Sequence, residues 1–244
     1  MELNRSNPIF VIGTGRSGTH WVGYILADHP DIRATIEIQP MFGWVTKMAT
    51  APAAEKRLFR WLVWAYRLQI LKSRPRRYLD KSHPNLWLAE RLAKAFPQAA
   101  FVGIERSPFA TVASMIKHTG VADWHRRWRD LPVPNRFLGL EESLVPTYES
   151  LPLATKCALR WRSHHEEMTR LRPVLGDRLL VLDYEALILD NEVNLERLRE
   201  FLQLDRAIPR PEIRRGSLDK WRDQLSPEEI GQISEVAGFG PPED

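Results

Sequence analysis

The segment Gly13-Thr14-Gly15-Arg16-Ser17-Gly18-Thr19-His20-Trp21 directly follows the apolar run Ile9-Phe10-Val11-Ile12. A strand that breaks into a glycine-punctuated turn and then opens a helix is a cradle for an oxyanion. The first helical amides have no internal partner, and the helix dipole favours negative charge at that end. Gly13 and Gly18 carry the spacing of a Walker A loop, but Thr19 stands where that loop needs Lys and His20 where it needs the magnesium-binding Ser or Thr. Ordinary ATP or GTP hydrolysis is thereby disfavoured. Arg16 instead puts a permanent planar cation inside the loop, suited to bidentate contact with phosphate or sulfate oxygens. The plain alternative is a glycine turn ahead of a core helix.

Further residues could do chemistry beside such a loop. Lys81, in Tyr78-Leu79-Asp80-Lys81-Ser82-His83-Pro84, follows a strand and precedes a helix whose start Pro84 suits. It reaches into a crevice or pairs with Asp80 at an exposed strand end. Glu37, in the alternating run Thr35-Ile36-Glu37-Ile38-Gln39, is either a proton acceptor in the cleft or a solvent-facing strand residue. His83 and His118 compete for the role of base, because histidine titrates near neutral pH. A second block, Phe101-Val102-Gly103-Ile104-Glu105-Arg106-Ser107-Pro108, is a buried strand ending in Arg, and Ser114 lies eight residues later on the helix that follows.

The two blocks together resemble sulfotransferases that use 3′-phosphoadenosine 5′-phosphosulfate (PAPS), in particular bacterial members similar to protein-tyrosine and carbohydrate sulfotransferases. Gly15 to Trp21 is similar to their 5′-phosphosulfate loop, and 101–116 to their 3′-phosphate segment; the resemblance runs from Phe10 to Trp221. It implies a three-layer α/β sandwich with a central parallel sheet and a P-loop-like loop. It also implies PAPS as co-substrate, no metal, transfer of the sulfuryl group to an acceptor hydroxyl or amine, and release of adenosine 3′,5′-bisphosphate.

In that scheme Gly15, Arg16, Ser17, Gly18, Thr19 and His20 hold the phosphosulfate end, with Trp21 either stacked on adenine or buried in its helix. Arg106 and Ser114 hold the 3′-phosphate. Lys81 assists departure of the bridging oxygen, and with Arg16 it stabilises the transferred group. Glu37 is the base, since His29 to Glu37 is similar to the segment that carries a catalytic Glu in the protein-tyrosine enzymes. Arg215 and Gly216, in Ile213 to Arg222, resemble the basic glycine loop over the 3′-phosphate, with a plain solvated basic loop as the alternative. Tyr184, in Val181 to Leu187, approaches the adenine or packs in the core. Two rival functions remain: a nucleotide-dependent kinase with a degenerate loop, and a noncatalytic binder of acidic polymers.

The whole chain sets wider limits. Its 244 residues, 43% of them hydrophobic, suffice for a single α/β domain spanning 1–244. The net charge of +4 favours anionic partners without implying nucleic acid. Cys157 is the one cysteine, which excludes an internal disulfide and fits a reducing, cytoplasmic setting. The first eight residues lack the apolar core of a signal peptide, and no segment reads as a transmembrane span. The acceptor is a small molecule, a glycan or a peptide, and the oligomeric state is open.

The elements that must position these groups read as strands at 9–12, 34–38, 77–79, 101–104 and 179–182. Helices are expected at 19–27, 54–71, 85–96, 109–118, 154–171, 192–201 and 227–236. The alternation predicts a parallel sheet whose strand ends bring Gly13, Glu37, Lys81 and Arg106 to one crevice. The stretch at about 120–153, rich in Pro, Trp and Arg, breaks the rhythm and reads as a lid or acceptor-binding insertion, with Trp124 to Arg129 contacting the acceptor. The basic aromatic run Lys56 to Arg67 either docks an anionic surface or, the preferred reading, turns its Trp and Leu residues into the core.

Overall fold

The structure, a computed structural model, describes residues 7–213, 216 and 218–241, the side chains of 54–56 aside. Five strands make one sheet: β1 (Ile9–Gly13), β2 (Ile32–Ile36), β3 (Arg77–Lys81), β4 (Ala100–Glu105) and β5 (Leu179–Asp183). Their order is β2-β3-β1-β4-β5 and every pair is parallel. Burial on both faces explains why β1 reads as a continuous apolar run. Ile9 and Val11 face one way, packing on Val22 and Leu26 of α1 (Thr19–Ala27). Phe10 and Ile12 face the other, in a cluster with Tyr66, Leu92 and Met168.

The first face is completed by α8 (Tyr184–Leu189) and α9 (Asn191–Leu202), through Leu187, Leu195, Leu198 and Leu202. The opposite face is covered by α2 (Met41–Thr50), α3 (Glu55–Ser73), α4 (Ala89–Ala95) and α7 (Leu153–Leu175). The expected three-layer α/β sandwich with a parallel centre is therefore the architecture. A short 3-10 turn over His83–Leu88 takes the first half of the helix expected at 85–96, and α2 is an element the sequence pattern did not signal.

A third cluster joins α5 (Pro108–Ile116), α7 and α10 (Pro227–Ala237) around Phe109, Trp161, Trp221 and Ile233. The stretch beyond α5 carries α6 (Thr119–Arg126) and three 3-10 turns, and it builds its own apolar centre from Trp128, Phe137, Leu138, Leu140 and Tyr148.

Expectations for three tryptophans need correction. Trp128 is buried, its indole Nε1–H donating to Glu149, while Trp124 packs edge-on against Phe137. Arg126, Arg127 and Arg129 stay exposed but pair with Asp123, Asp130 and Glu149, so their charges are balanced locally. In α3, Leu62 and Tyr66 are core, but Trp61 and Trp64 are 59% and 56% exposed, against the preferred reading of that run. Among the described residues no helix is long and apolar enough to cross a membrane.

Candidate active site

The carboxyl ends of β1, β3 and β4 open onto the glycine loop. Gly18 sits just ahead of α1 with φ of 95°, and a Cβ there would lie 2.2 Å from the Tyr184 ring. Only glycine satisfies both conditions. Ser17 turns its hydroxyl inward to donate to the carbonyls of Thr14 and Ile104, pinning the loop to β4, and Thr19 is buried. These two side chains hold the loop's shape together with the Ser17 amide, which donates to the Thr14 carbonyl at 3.2 Å, leaving Arg16 to face outward. Arg16 is exposed, and its Nε donates to Ser114 Oγ at 3.1 Å. Arg106 donates to the Arg16 carbonyl at 3.3 Å and stacks its guanidinium 4.3 Å over the Tyr184 ring.

An open cleft of about 320 Å³ is lined by Arg16, Arg106, Ser114, His118, Tyr184 and Trp221, among others. Trp21 meets Tyr184 edge to face at 5.7 Å on the other side of the loop. Glu185 accepts from the Ser107 amide and lies 3.8 Å from Arg106, which fixes the arginine against the cleft wall. This carboxylate was not singled out by sequence reasoning, although it directly follows Tyr184. Gly216 is exposed with open space around its Cα. Arg215 lies outside the described residues.

The second half of the site is an ionic cluster on β2 and β3. Side chains alternate along β3, so Asp80 and Lys81 part company. Asp80 is buried and accepts from Tyr66, Asn85 and Thr35; burial pushes its pKa up to about 6. Lys81, wholly buried, turns the other way and donates to Glu37 and to His20 Nδ1. Its partner is thus Glu37 and not Asp80.

Glu37 stands one residue past β2 with φ of 49°, its amide donating to the Lys81 carbonyl at 2.9 Å. That left-handed turn takes it out of the strand alternation and swings its carboxylate into the cluster. Burial alone would raise its pKa; hydrogen bonds from His20 and His83 and the charge of Lys81 outweigh that and hold it far below the usual carboxylate range.

His83 supplies the fourth member. Its Nδ1 is 2.8 Å from Glu37 Oε1. A carboxylate only accepts, so Nδ1 carries the hydrogen. Burial lowers the His83 pKa to about 4, which keeps the ring neutral and puts the lone pair on Nε2. That nitrogen is aimed at the loop, 3.1 Å from where a side chain on Gly15 would begin. The structure therefore brings Arg16, His20, Glu37, Lys81 and His83 to one edge of the sheet, and Arg106, Ser114 and Tyr184 to the adjoining cleft. His118 sits exposed on the cleft rim. Glu105 pairs outward with His165 and Arg172 and takes no part.

A parallel α/β sheet ending in a glycine loop ringed by cations defines a P-loop-like α/β protein. A model described as the sulfotransferase family matches residues 8–70 and 62–207, and the chain belongs to that family. Among solved structures it is similar in fold to a sulfotransferase domain from the curacin biosynthetic pathway, with 14% identity, a TM-score of 0.58 and coverage of 97% of this chain and 99% of that one. A sulfotransferase from Alicyclobacillus acidocaldarius is similar at 16% identity and TM-score 0.54, covering 96% and 97%. A mouse sulfotransferase complexed with PAP is similar at 18% identity and TM-score 0.54, covering 95% and 83%. No curated protein matches the chain by sequence.

Proposed function

We propose that this protein transfers the sulfuryl group of PAPS to an acceptor hydroxyl or amine and releases adenosine 3′,5′-bisphosphate. The observation that carries the reading is the convergence of Arg16, Lys81, Glu37 and His83 on one glycine loop in a chain of the sulfotransferase family. In the transfer, the acceptor oxygen bonds to sulfur as the bond from sulfur to the bridging phosphate oxygen breaks, with the two oxygens in line. Charge builds on the bridging and equatorial oxygens, and positioned cations stabilise it.

Arg16, His20 and the amides of residues 15, 16 and 18–20 hold the phosphosulfate end. Lys81 turns from Glu37 to the bridging oxygen, where its proton offsets the leaving charge. The acceptor proton goes to the Glu37–His83 pair. His83 Nε2 presents the lone pair at the loop, and Glu37 steadies the imidazolium through Nδ1 as it forms. Glu37, the base that the family resemblance implies, acts here through the ring it holds. Arg106 and Ser114 take the 3′-phosphate. Trp21 and Tyr184 flank the adenine, with Gly216 on the bisphosphate side. The segment at 120–153 shapes the acceptor side.

Incubation with PAPS labelled in the sulfuryl group and a panel of hydroxylated and aminated acceptors tests the reading. Label transfer without added divalent metal supports it. Turnover of ATP that requires magnesium, with no transfer from PAPS, would place the protein with kinases instead.

A further inference from the structure

Arg160 of α7 is 2% exposed, yet among the described residues it has no counter-ion. Its neighbours on the helix show the contrast. Arg162 faces Glu166, Arg170 pairs with Glu167, and Arg172 with Glu105. Arg160 Nε and Nη1 are enclosed without a hydrogen-bond partner, and its guanidinium lies 4.3 Å over the Phe137 ring. The charged and titratable groups felt around it are Tyr148, Cys157, His83, His118, His125 and His164, none of them a carboxylate. Burial lowers its pKa only to about 10, so it is a cation at neutral pH. An unpaired buried charge of this kind is costly, and an anionic ligand beside it would supply the opposite sign.

The direction in which it points identifies the ligand. Nη2 comes 3.7 Å from where a side chain on Gly15 would begin, beside His83 Nε2 at 3.1 Å from the same point. Arg160 thus reaches the loop from the side formed by α7 and Phe137, and Arg16 and Lys81 are the other cations at this edge of the sheet. Those two cations and the loop amides already answer the donor's charges.

We propose that Arg160 binds an anionic group of the acceptor, a carboxylate, sulfate or phosphate, so that the protein sulfates anionic rather than neutral alcohols. The proposal rests on the sulfotransferase reading above and names the substrate class of that same site. A guanidinium fork suits any of these oxyanions through two parallel hydrogen bonds. Phe137 and Tyr148, both buried, back the guanidinium and hold it in place.

The test loads the protein with saturating adenosine 3′,5′-bisphosphate, so that the donor cleft is filled, and then titrates benzoate or benzamide while following calorimetric heat and the melting temperature. The expected result is saturable binding of benzoate at least ten-fold tighter than benzamide. Arg160→Met should abolish that preference, leave bisphosphate affinity within about three-fold, and melt no lower than the parent, since an unpaired charge has been removed. Equal effects of the two probes on the parent protein would overturn the proposal. So would a persisting benzoate preference in Arg160→Met, a variant that fails to fold, or a ten-fold loss of bisphosphate affinity, the last of which would assign Arg160 to the donor. If the parent protein binds no bisphosphate at all, the PAPS reading itself fails, an outcome distinct from every one of these.

Discussion

Gly18→Ala isolates the contact that couples the loop to the wall of the adjoining cleft. The new methyl would meet Tyr184 Cδ2 at 2.2 Å and Cε2 at 2.4 Å, on a residue held at φ of 95°. The left-handed backbone costs roughly 1–2 kcal/mol for a residue with a Cβ. Forcing the ring aside costs about 1–3 kcal/mol more, because Tyr184 is wedged between Trp21 and Arg106. The sum, roughly 2–5 kcal/mol, corresponds to a fall in melting temperature of about 4–20 °C in a chain of this size. A double-mutant cycle with Tyr184→Ala separates the two contributions. In the Tyr184→Ala background, Gly18→Ala should cost only the backbone share, leaving a coupling of about 1–3 kcal/mol. Equal costs in both backgrounds, read by calorimetric unfolding, would show that the ring does not press on the loop and would refute the geometry argued for the cleft.

Three other outcomes are expected. Lys81→Met should lower turnover from PAPS on the order of 10²-fold or more, while adenosine 3′,5′-bisphosphate still binds, because its cation acts on charge that develops during transfer. The acid limb of kcat/KM for the donor should fall near pH 4 rather than near 6.5. Burial depresses the folded His83 pKa to about 4, so the neutral ring persists above that value and is lost as pH falls through it; a limb near 6.5 in a pH series would return the base to an exposed histidine. Trp61→Ser and Trp64→Ser should each change stability by no more than ~0.5 kcal/mol in denaturant titration, since both rings stand in solvent.

The strands and the loop were legible because their signals are local. Ile9 to Ile12 is apolar on both faces, and Gly13 with Gly18 punctuates the turn where backbone geometry demands it. The helix α1 matches the expected 19–27 residue for residue. What escaped depended on distant partners. Met41 to Thr50 mixes glycine and β-branched residues, and it is held as a helix by the cover it gives the sheet. The Glu37 role stayed ambiguous because strand alternation cannot announce a positive φ at its end. Trp61 and Trp64 alternate around a helix whose core stripe is already filled by Leu62 and Tyr66. Arg160 sits in Ala-Leu-Arg-Trp-Arg-Ser, where a charged helix residue reads as surface; only the approach of Phe137 and the loop reveals that it is buried.

The central claim is that one cleft grips an adenosine donor at both of its anionic ends without a divalent ion. Calorimetric titration with adenosine 3′,5′-bisphosphate in the presence of a chelator tests it most directly, set against ATP with magnesium and repeated with Arg106→Ala. The account predicts one bisphosphate per chain, affinity reduced at least ten-fold in the variant, and weaker binding of the ATP complex. Tight binding of ATP with magnesium and none of the bisphosphate would contradict it.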